Sequence, residues 1–366
     1  MNKRYGMNNH WTYLLILLIC LVSACSTTMD SPILMTEEEY LQLQSDIPEP
    51  GNSGVEGIYA KGTAVDTFGK LQVINTQLCD GNGVPVQLRG LFVRALKVES
   101  KFLNEDCFDT MVNDWKINVI RIPFMPASWF AEPSYINDEH YEQLIDKAIE
   151  LSERFGIYCI IDWHILGDGN PFEHARESKD FFTRLAYKYG AKKHVIYEIC
   201  NEPNGKEVTW DKVIKPYAEL IVPSIKAGDP EALVLVGTST WSQDVDIAAD
   251  NPLDYANVMY TFHFYAGSHK EHLRARVEAA SSRIPLFSSE WGSTNYDATG
   301  GPFTDESGKW LDLMEKKGIS WCHYALTDFD EDAALLKPNA HASGEWNDND
   351  LTDSGKFVVH YLKNRS

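Results

Sequence analysis

Positive charge is scarce in this chain: 33 Lys and Arg stand against 53 Asp and Glu, a formal net charge of −20 over 366 residues. A surface of that sign repels phosphate backbones and anionic headgroups, which excludes nucleic acid and the bare membrane surface as partners. A neutral partner, such as a sugar polymer, meets no such repulsion. Several chemical signatures are missing too. There is no G-x-G-x-x-G, no P-loop, no G-x-S-x-G elbow and no H-E-x-x-H pair. No two cysteines have C-x-x-C spacing, which removes a structural zinc site. His164, His263 and Asp162 could be imagined around a metal, but they lack close ligand spacing, so neither metal nor cofactor is expected. Internal repeats and low-complexity tracts are also absent.

Long apolar runs are limited to one place. Trp11 to Val22 is almost unbroken, follows Lys3 and Arg4, and is too short for a comfortable membrane span. V-S-A-C comes next, and small residues before Cys25 resemble the lipobox of bacterial lipoproteins. That resemblance implies cleavage before Cys25, lipidation there, and an exported protein held in the cell envelope only by its N-terminal lipid. Residues 1–25 therefore read as a signal segment. Residues 26–58, acidic and dotted with Pro and Gly, read as a flexible tether. Residues 59–366 read as one folded domain, a self-repelling monomer by its charge. Five cysteines remain, at 79, 107, 159, 200 and 322. An odd count offers no obvious disulfide framework. Cys159, Cys200 and Cys322 lie in apolar runs, as small core residues do.

The domain opens with L-Q-V-I-N-T-Q-L, D-G-N-G and V-P-V-Q-L-R, which predict a β-hairpin turning at the glycines. Short apolar strands then alternate with helical patterns. The strands are expected at 87–93, 119–124, 158–164, 195–202, 233–237, 258–265, 285–290 and 319–326. Between them, residues such as Leu144, Ile145, Ala148, Ile149 and Leu151 gather on one side of a helix that Gly156 ends. A last helix is expected around 354–362. Eight strands with helical connections over about 300 residues predict the α/β class and a closed (β/α)8 TIM barrel. A doubly wound open sheet is the rival, but its Gly-rich phosphate turn is lacking.

Barrels place their chemistry at the carboxyl ends of the strands. Those ends are polar here. The second strand carries Arg121. The third ends in D-W-H, with Asp162 and His164 on one face by strand parity. The fourth, V-I-Y-E-I-C-N-E-P, is apolar but for Glu198 and ends in Asn201 and Glu202. Pro203, lacking an N–H, stops its ladder. The sixth puts His263 and Tyr265 on one face. The seventh ends at Glu290, and the eighth carries Trp321 and Tyr324. Two carboxylic acids without a metal cluster suit glycosidic cleavage, where one protonates the leaving oxygen and the other attacks the sugar or activates water. Glu202 on its apolar strand is the natural proton donor, its pKa raised by burial. Glu290 is the nucleophile, kept ionised by Arg121 and a hydrogen bond from Tyr265. Strict alternation cannot aim both Asn201 and Glu202 inward, so the strand must twist or bulge there.

The segments V-I-R-I, D-W-H-I-L-G-D-G-N-P, V-I-Y-E-I-C-N-E-P-N-G, V-M-Y-T-F-H-F-Y-A-G-S-H and S-S-E-W-G, in this order from about Leu71 onward, resemble glycoside hydrolase family 5, and within it the bacterial endo-β-1,4-glucanases. The resemblance implies a retaining hydrolase of β-glucan polysaccharide with a covalent glycosyl-enzyme. It implies Glu202 as acid/base, Glu290 as nucleophile and Asn201 as the partner of the sugar 2-hydroxyl. Arg121, His164, His263 and Tyr265 match its supporting shell. Trp210 and Trp241 match aromatics along the sugar cleft, and Glu331 a polar contact on the non-reducing side.

Departures from the family pattern cluster on that non-reducing side. After the first strand, Arg94 stands for a His and Val98 for a Trp. Tyr324 replaces a cleft Trp, Phe329 a Lys, and Met125 a Tyr. Arg94 and Tyr324 are thus candidate substrate contacts in a rebuilt wall. Each lost aromatic stack is worth on the order of 1 kcal/mol of sugar binding. Plain β-1,4-glucan, mixed-linkage glucan, xyloglucan and β-mannan all stay open as backbones, as does a non-catalytic glycan-binding protein.

Overall fold

The computed structural model describes residues 33–51, 54–128 and 133–364. Cys25 and the apolar run before it lie outside the described residues. Eight parallel strands close on themselves: β3 (Arg89–Val93), β4 (Val119–Phe124), β5 (Tyr158–Trp163), β6 (Val195–Glu198), β7 (Val234–Gly237), β8 (Val258–Tyr265), β9 (Leu286–Gly292) and β10 (Ser320–Leu326), with β10 pairing β3. This is the (β/α)8 barrel expected from the strand count. An antiparallel pair, β1 (Gln72–Ile74) and β2 (Gln77–Cys79), precedes it.

That hairpin is tighter than the sequence suggests. Both of its strands lie within L-Q-V-I-N-T-Q-L and the Cys79 that follows it, and the chain reverses at Asn75-Thr76, with Asn75 at φ 55°. Asn tolerates the left-handed conformation that such a turn needs. D-G-N-G makes a second turn, closed by an isolated bridge between Cys79 and Pro85.

Alternation sets what each barrel strand buries. On β5, Tyr158 and Ile160 join the apolar interior, while Cys159, Ile161 and Trp163 pack outward against helices. The lower interior continues with Leu88, Val119, Ile196, Leu235, Met259, Phe287 and Cys322, and Val65, Leu71 and Leu78 from the hairpin region join the same cluster. The apolar plug thus fills the amino-terminal end of the barrel and leaves the carboxyl end for polar groups. Gly90 is needed where β3 passes β4, because a Cβ there would lie 1.7 Å from the Val119 carbonyl oxygen.

The outer layer follows the amphipathic pattern. Helix Glu139–Phe155 buries Tyr141, Leu144, Ile145, Ala148 and Ile149, starts at an Asp138 cap and stops at Gly156 in the left-handed region. The last helix runs over Asp353–Asn364. All five described cysteines are free and buried. Among the described residues no helix is long and apolar enough to cross a membrane.

The stretch read as a flexible tether contains a helix, Glu37–Ser45, opened by a Thr36–Glu39 capping box. It lies on the barrel rather than away from it. The Tyr40 hydroxyl donates to the Pro216 carbonyl at 3.2 Å, its ring meets Phe172, and Lys179 donates to the Leu43 and Asp46 carbonyls.

Candidate active site

Arg121 is the centre of the polar layer. Its side chain is fully buried, and a buried cation needs compensating charge. Glu198 supplies most of it: Arg121 Nε donates to Glu198 Oε2 at 2.7 Å and Nη2 to Oε1 at 3.0 Å. Nη2 also reaches Asn201 Oδ1 at 2.7 Å and Asp162 Oδ2 at 3.0 Å, and Nη1 donates to Glu290 Oε2 at 3.0 Å. The Phe92 ring sits 4.6 Å from the guanidinium carbon. One cation therefore fixes four side chains from β5, β6, β9 and the segment after β6.

Glu290 takes its second hydrogen bond from the Tyr265 hydroxyl, which donates to Oε1 at 2.6 Å. Glu202 meets a different setting. Its Oε1 lies 2.9 Å from His263 Nδ1, and among the described residues no Lys or Arg pairs with either oxygen. Burial pushes its pKa up to about 7, against the pull of His164 and Arg121. Burial likewise pushes His263 and His164 down to about 4, so both rings are neutral at pH 7. An oxygen of Glu202, an oxygen of Glu290 and a ring nitrogen of His263 lie within 4.8 Å of one another. Such a trio resembles a cation site. Both ring nitrogens of His263 are already engaged, however, by Glu202 and by Ser289 Oγ at 2.9 Å.

The β6 strand proper ends at Glu198, four residues before Glu202. From there Ile199 N bonds to Leu235 O and Asn201 N to Trp163 O, while Gly237 N bonds to Cys200 O. The chain leaves regular pairing, which lets both Asn201 and Glu202 enter the site. A Cβ at Gly237 would meet Cys200 O at 2.2 Å, so only glycine lets β7 pass so close. The seventh strand is bulged as well. Thr261 and His263 of β8 pair with Phe287 and Glu290, so two residues of β9 oppose one of β8. Ser289 and Glu290 both face inward as a result, each bonded to interior groups.

Asp162 and His164 share a face, as strand parity expects. His164 Nδ1 is 2.7 Å from Asp162 Oδ2 and its ring stacks on Phe92. Asn201 gives one N–H to Ile165 O at 3.0 Å. Tyr324 is buried beside Phe92 and Tyr265. Arg94 pairs with Glu331 at 3.3 Å, under the half-exposed ring of Phe329. Met125 is buried.

The two tryptophans divide. Trp241 is 47% exposed in a turn where Thr240, Trp241 and Ser242 all have positive φ. That strain is stored at the rim of the site: Trp241 N donates to Pro203 O at 3.1 Å and Ser242 Oγ to Asn201 O at 2.7 Å. Trp210 is fully buried in the helical turn Trp210–Ile214, with Nε1 on Asn251 O and its ring against Tyr260. It offers no face to a sugar, so the expected cleft contact is corrected to a packing role.

Sequence reading missed Glu198 and Ser289 as site residues. Glu198 carried a signal, since a lone charge in a strand buried on both sides must be paired. Ser289 carried none.

Comparison with known proteins agrees with this geometry. The family model for cellulase (glycosyl hydrolase family 5) matches residues 79–330. An endoglucanase of Clostridium saccharobutylicum is 46% identical over 303 residues, 82% of this chain and 66% of that protein. Endoglucanase 5 of Pectobacterium carotovorum is 43% identical over 302 residues, 82% of this chain and 59% of that protein. The chain thus spans about three fifths to two thirds of the length of these curated relatives. The catalytic domain of Thermobifida fusca endoglucanase Cel5A, solved with cellotetraose, superposes with a TM-score of 0.76 at 35% identity, covering 82% of this chain and all of that one. With the family model spanning most of the barrel and these relatives above 40% identity, the chain belongs to the cellulases of glycosyl hydrolase family 5.

Proposed function

We propose that the protein hydrolyses internal β-1,4-glucosidic bonds of cellulose-type glucan by double displacement. The observation that carries this reading is the pair of carboxyl groups on the segment after β6 and near the end of β9, with oxygens within 4.8 Å. A separation near 5 Å suits direct attack on the sugar, whereas an inverting pair stands farther apart to admit a water. Their surroundings divide the roles. Glu202, with burial raising its pKa to about 7, carries the proton for the leaving oxygen. Glu290, held by Arg121 and Tyr265, attacks the anomeric carbon. Glu202 then takes a proton from water, and the hydroxide so formed frees the sugar from Glu290.

Glu202→Gln and Glu290→Gln should each abolish most release of reducing ends while leaving the fold intact. Full activity in either variant would overturn the assignment. A panel of β-1,4-glucan, mixed-linkage glucan, xyloglucan and mannan fixes the backbone. Binding without any new reducing ends would identify a glycan-binding protein instead.

We further propose that the mature chain is lipid-anchored at Cys25 in the cell envelope, supported by V-S-A-C after the apolar run. Cys25→Ala should move the protein from the membrane fraction to the soluble one. Unchanged partition would remove the anchor from the account.

A further inference from the structure

Behind the two carboxylates runs a closed line of hydrogen bonds whose directions can be assigned. Glu198 accepts Arg121 Nε on Oε2 at 2.7 Å and Arg121 Nη2 on Oε1 at 3.0 Å. This bidentate pairing with a buried cation favours Glu198 as the carboxylate, against the upward push of burial on its pKa. Ser289 Oγ lies 2.7 Å from Glu198 Oε1, so the hydroxyl must donate there. Its proton used, Ser289 Oγ can only accept from His263 Nε2, 2.9 Å away. Burial favours the neutral ring, and a neutral His263 protonated at Nε2 presents a lone pair at Nδ1. Glu202 Oε1 lies 2.9 Å from that lone pair, and only a protonated carboxyl makes this contact a hydrogen bond.

We infer that Ser289 is a positioning residue for the acid/base: by fixing the His263 tautomer, it holds Glu202 in its acid form in the resting enzyme. The inference rests on the catalytic reading above and adds to it a residue and a direction. The opposite arrangement, Nδ1–H toward a Glu202 carboxylate, turns the Ser289 proton to Nε2. It then leaves two oxygens 2.7 Å apart with no proton between them, a costly contact between two fully buried side chains. When the leaving oxygen takes the proton, the Glu202 O–H bond breaks and a sugar O–H bond forms. The carboxylate left behind faces the Nδ1 lone pair, which favours recapture of a proton from the attacking water in the second step.

The β9 bulge is what brings Ser289 into this line, since regular alternation would send it outward whenever Glu290 points in. The titratable and charged groups that face Glu202 are His263 from β8, Asp162 from β5 and His164 just after it, Arg121 from β4, Glu198 from β6, and Glu290 with Tyr265 across the cleft. Of these, His263 alone lies within hydrogen-bond distance of the Glu202 carboxyl, so the tautomer acts where the others act at a distance.

Two measurements test this. Nitrogen-15 NMR of the histidine-labelled full chain, with His263→Gln to assign the signal, should show Nε2–H and a bare Nδ1. A protonated Nδ1 in the resting enzyme, whether as the neutral tautomer or the imidazolium, would overturn the inference whatever the variants do. Ser289→Ala should lower the alkaline limb of kcat/KM by about one pH unit, a roughly tenfold loss beyond that limb, with KM little moved. Ser289→Thr, which keeps a hydroxyl, should restore the limb. An unmoved limb in a folded Ser289→Ala would also overturn it. Glu290→Gln separates the two levels: an inactive variant with an unmoved Ser289→Ala limb rejects only the tautomer, while an active one rejects the catalytic reading itself.

Discussion

Replacing Tyr265 with Phe should slow the second half of the reaction more than the first. The phenol donates to Glu290 Oε1 at 2.6 Å, and Arg121 holds Oε2 at 3.0 Å. A hydrogen bond to a charged group is worth about 1.5–3 kcal/mol, or roughly ten- to hundredfold in rate. The direction follows from where the charge goes. Attack spends the negative charge of Glu290 in a bond to the sugar, and the donor is of little use there. Departure restores the charge, and the donor then stabilises it. Tyr265→Phe therefore makes release of the sugar rate-limiting, so kcat falls about ten- to hundredfold and KM falls with it. The fold should survive, because the ring keeps its place in the cluster with Phe92, Tyr324 and Ala333. The assay is rapid-quench kinetics on an aryl cello-oligosaccharide with a good leaving group. A burst of phenolate followed by a slow steady state is expected. An unchanged kcat, or a lowered kcat without a burst, would refute the reasoning.

Other outcomes follow from the same geometry. Because burial raises Glu202 to about 7, the proton it donates is lost above that pH, and kcat/KM should fall about tenfold per pH unit on the alkaline side; a limb near the ordinary carboxylate range would contradict the assignment. Trp241→Ala should raise KM several-fold with kcat nearly unchanged, since an exposed aromatic platform is worth about 1 kcal/mol. Trp241→Gly should melt higher than Trp241→Ala, because glycine accepts the φ of 53° without strain. Trp210→Ala should lower stability by about 3–5 kcal/mol, read by denaturant unfolding, as a buried aromatic truncated in a core does; a KM effect with normal stability would return Trp210 to the cleft.

How much of this was legible depended on what each residue signals locally. The barrel could be read because its strands are covered on both faces and keep period two, as Tyr158, Ile160 and Asp162 do against Cys159, Ile161 and Trp163. The meeting of Glu202 and Glu290 could be read because polar residues at the ends of apolar strands are conspicuous. Trp210 could not be told from Trp241, since a sequence does not say which tryptophan a helical turn tucks inward. Ser289 was invisible because a bulge breaks the parity that would have assigned it, and no residue type announces a bulge. The hairpin turn was misplaced because Gly-rich D-G-N-G outweighs Asn75-Thr76 as a turn signal. The helix at Glu37–Ser45 did leave a mark, the T-x-x-E capping box at Thr36 and Glu39, beneath an acidic composition that argued for a tether.

Double displacement is tested most directly by the configuration of the first product. Proton NMR during early hydrolysis of a cello-oligosaccharide by the intact enzyme should show the β-anomer of the new reducing end appearing first, with the α-anomer growing in only at the rate of mutarotation. An α-anomer formed first would mean single displacement through water, and would contradict the roles given to Glu202 and Glu290.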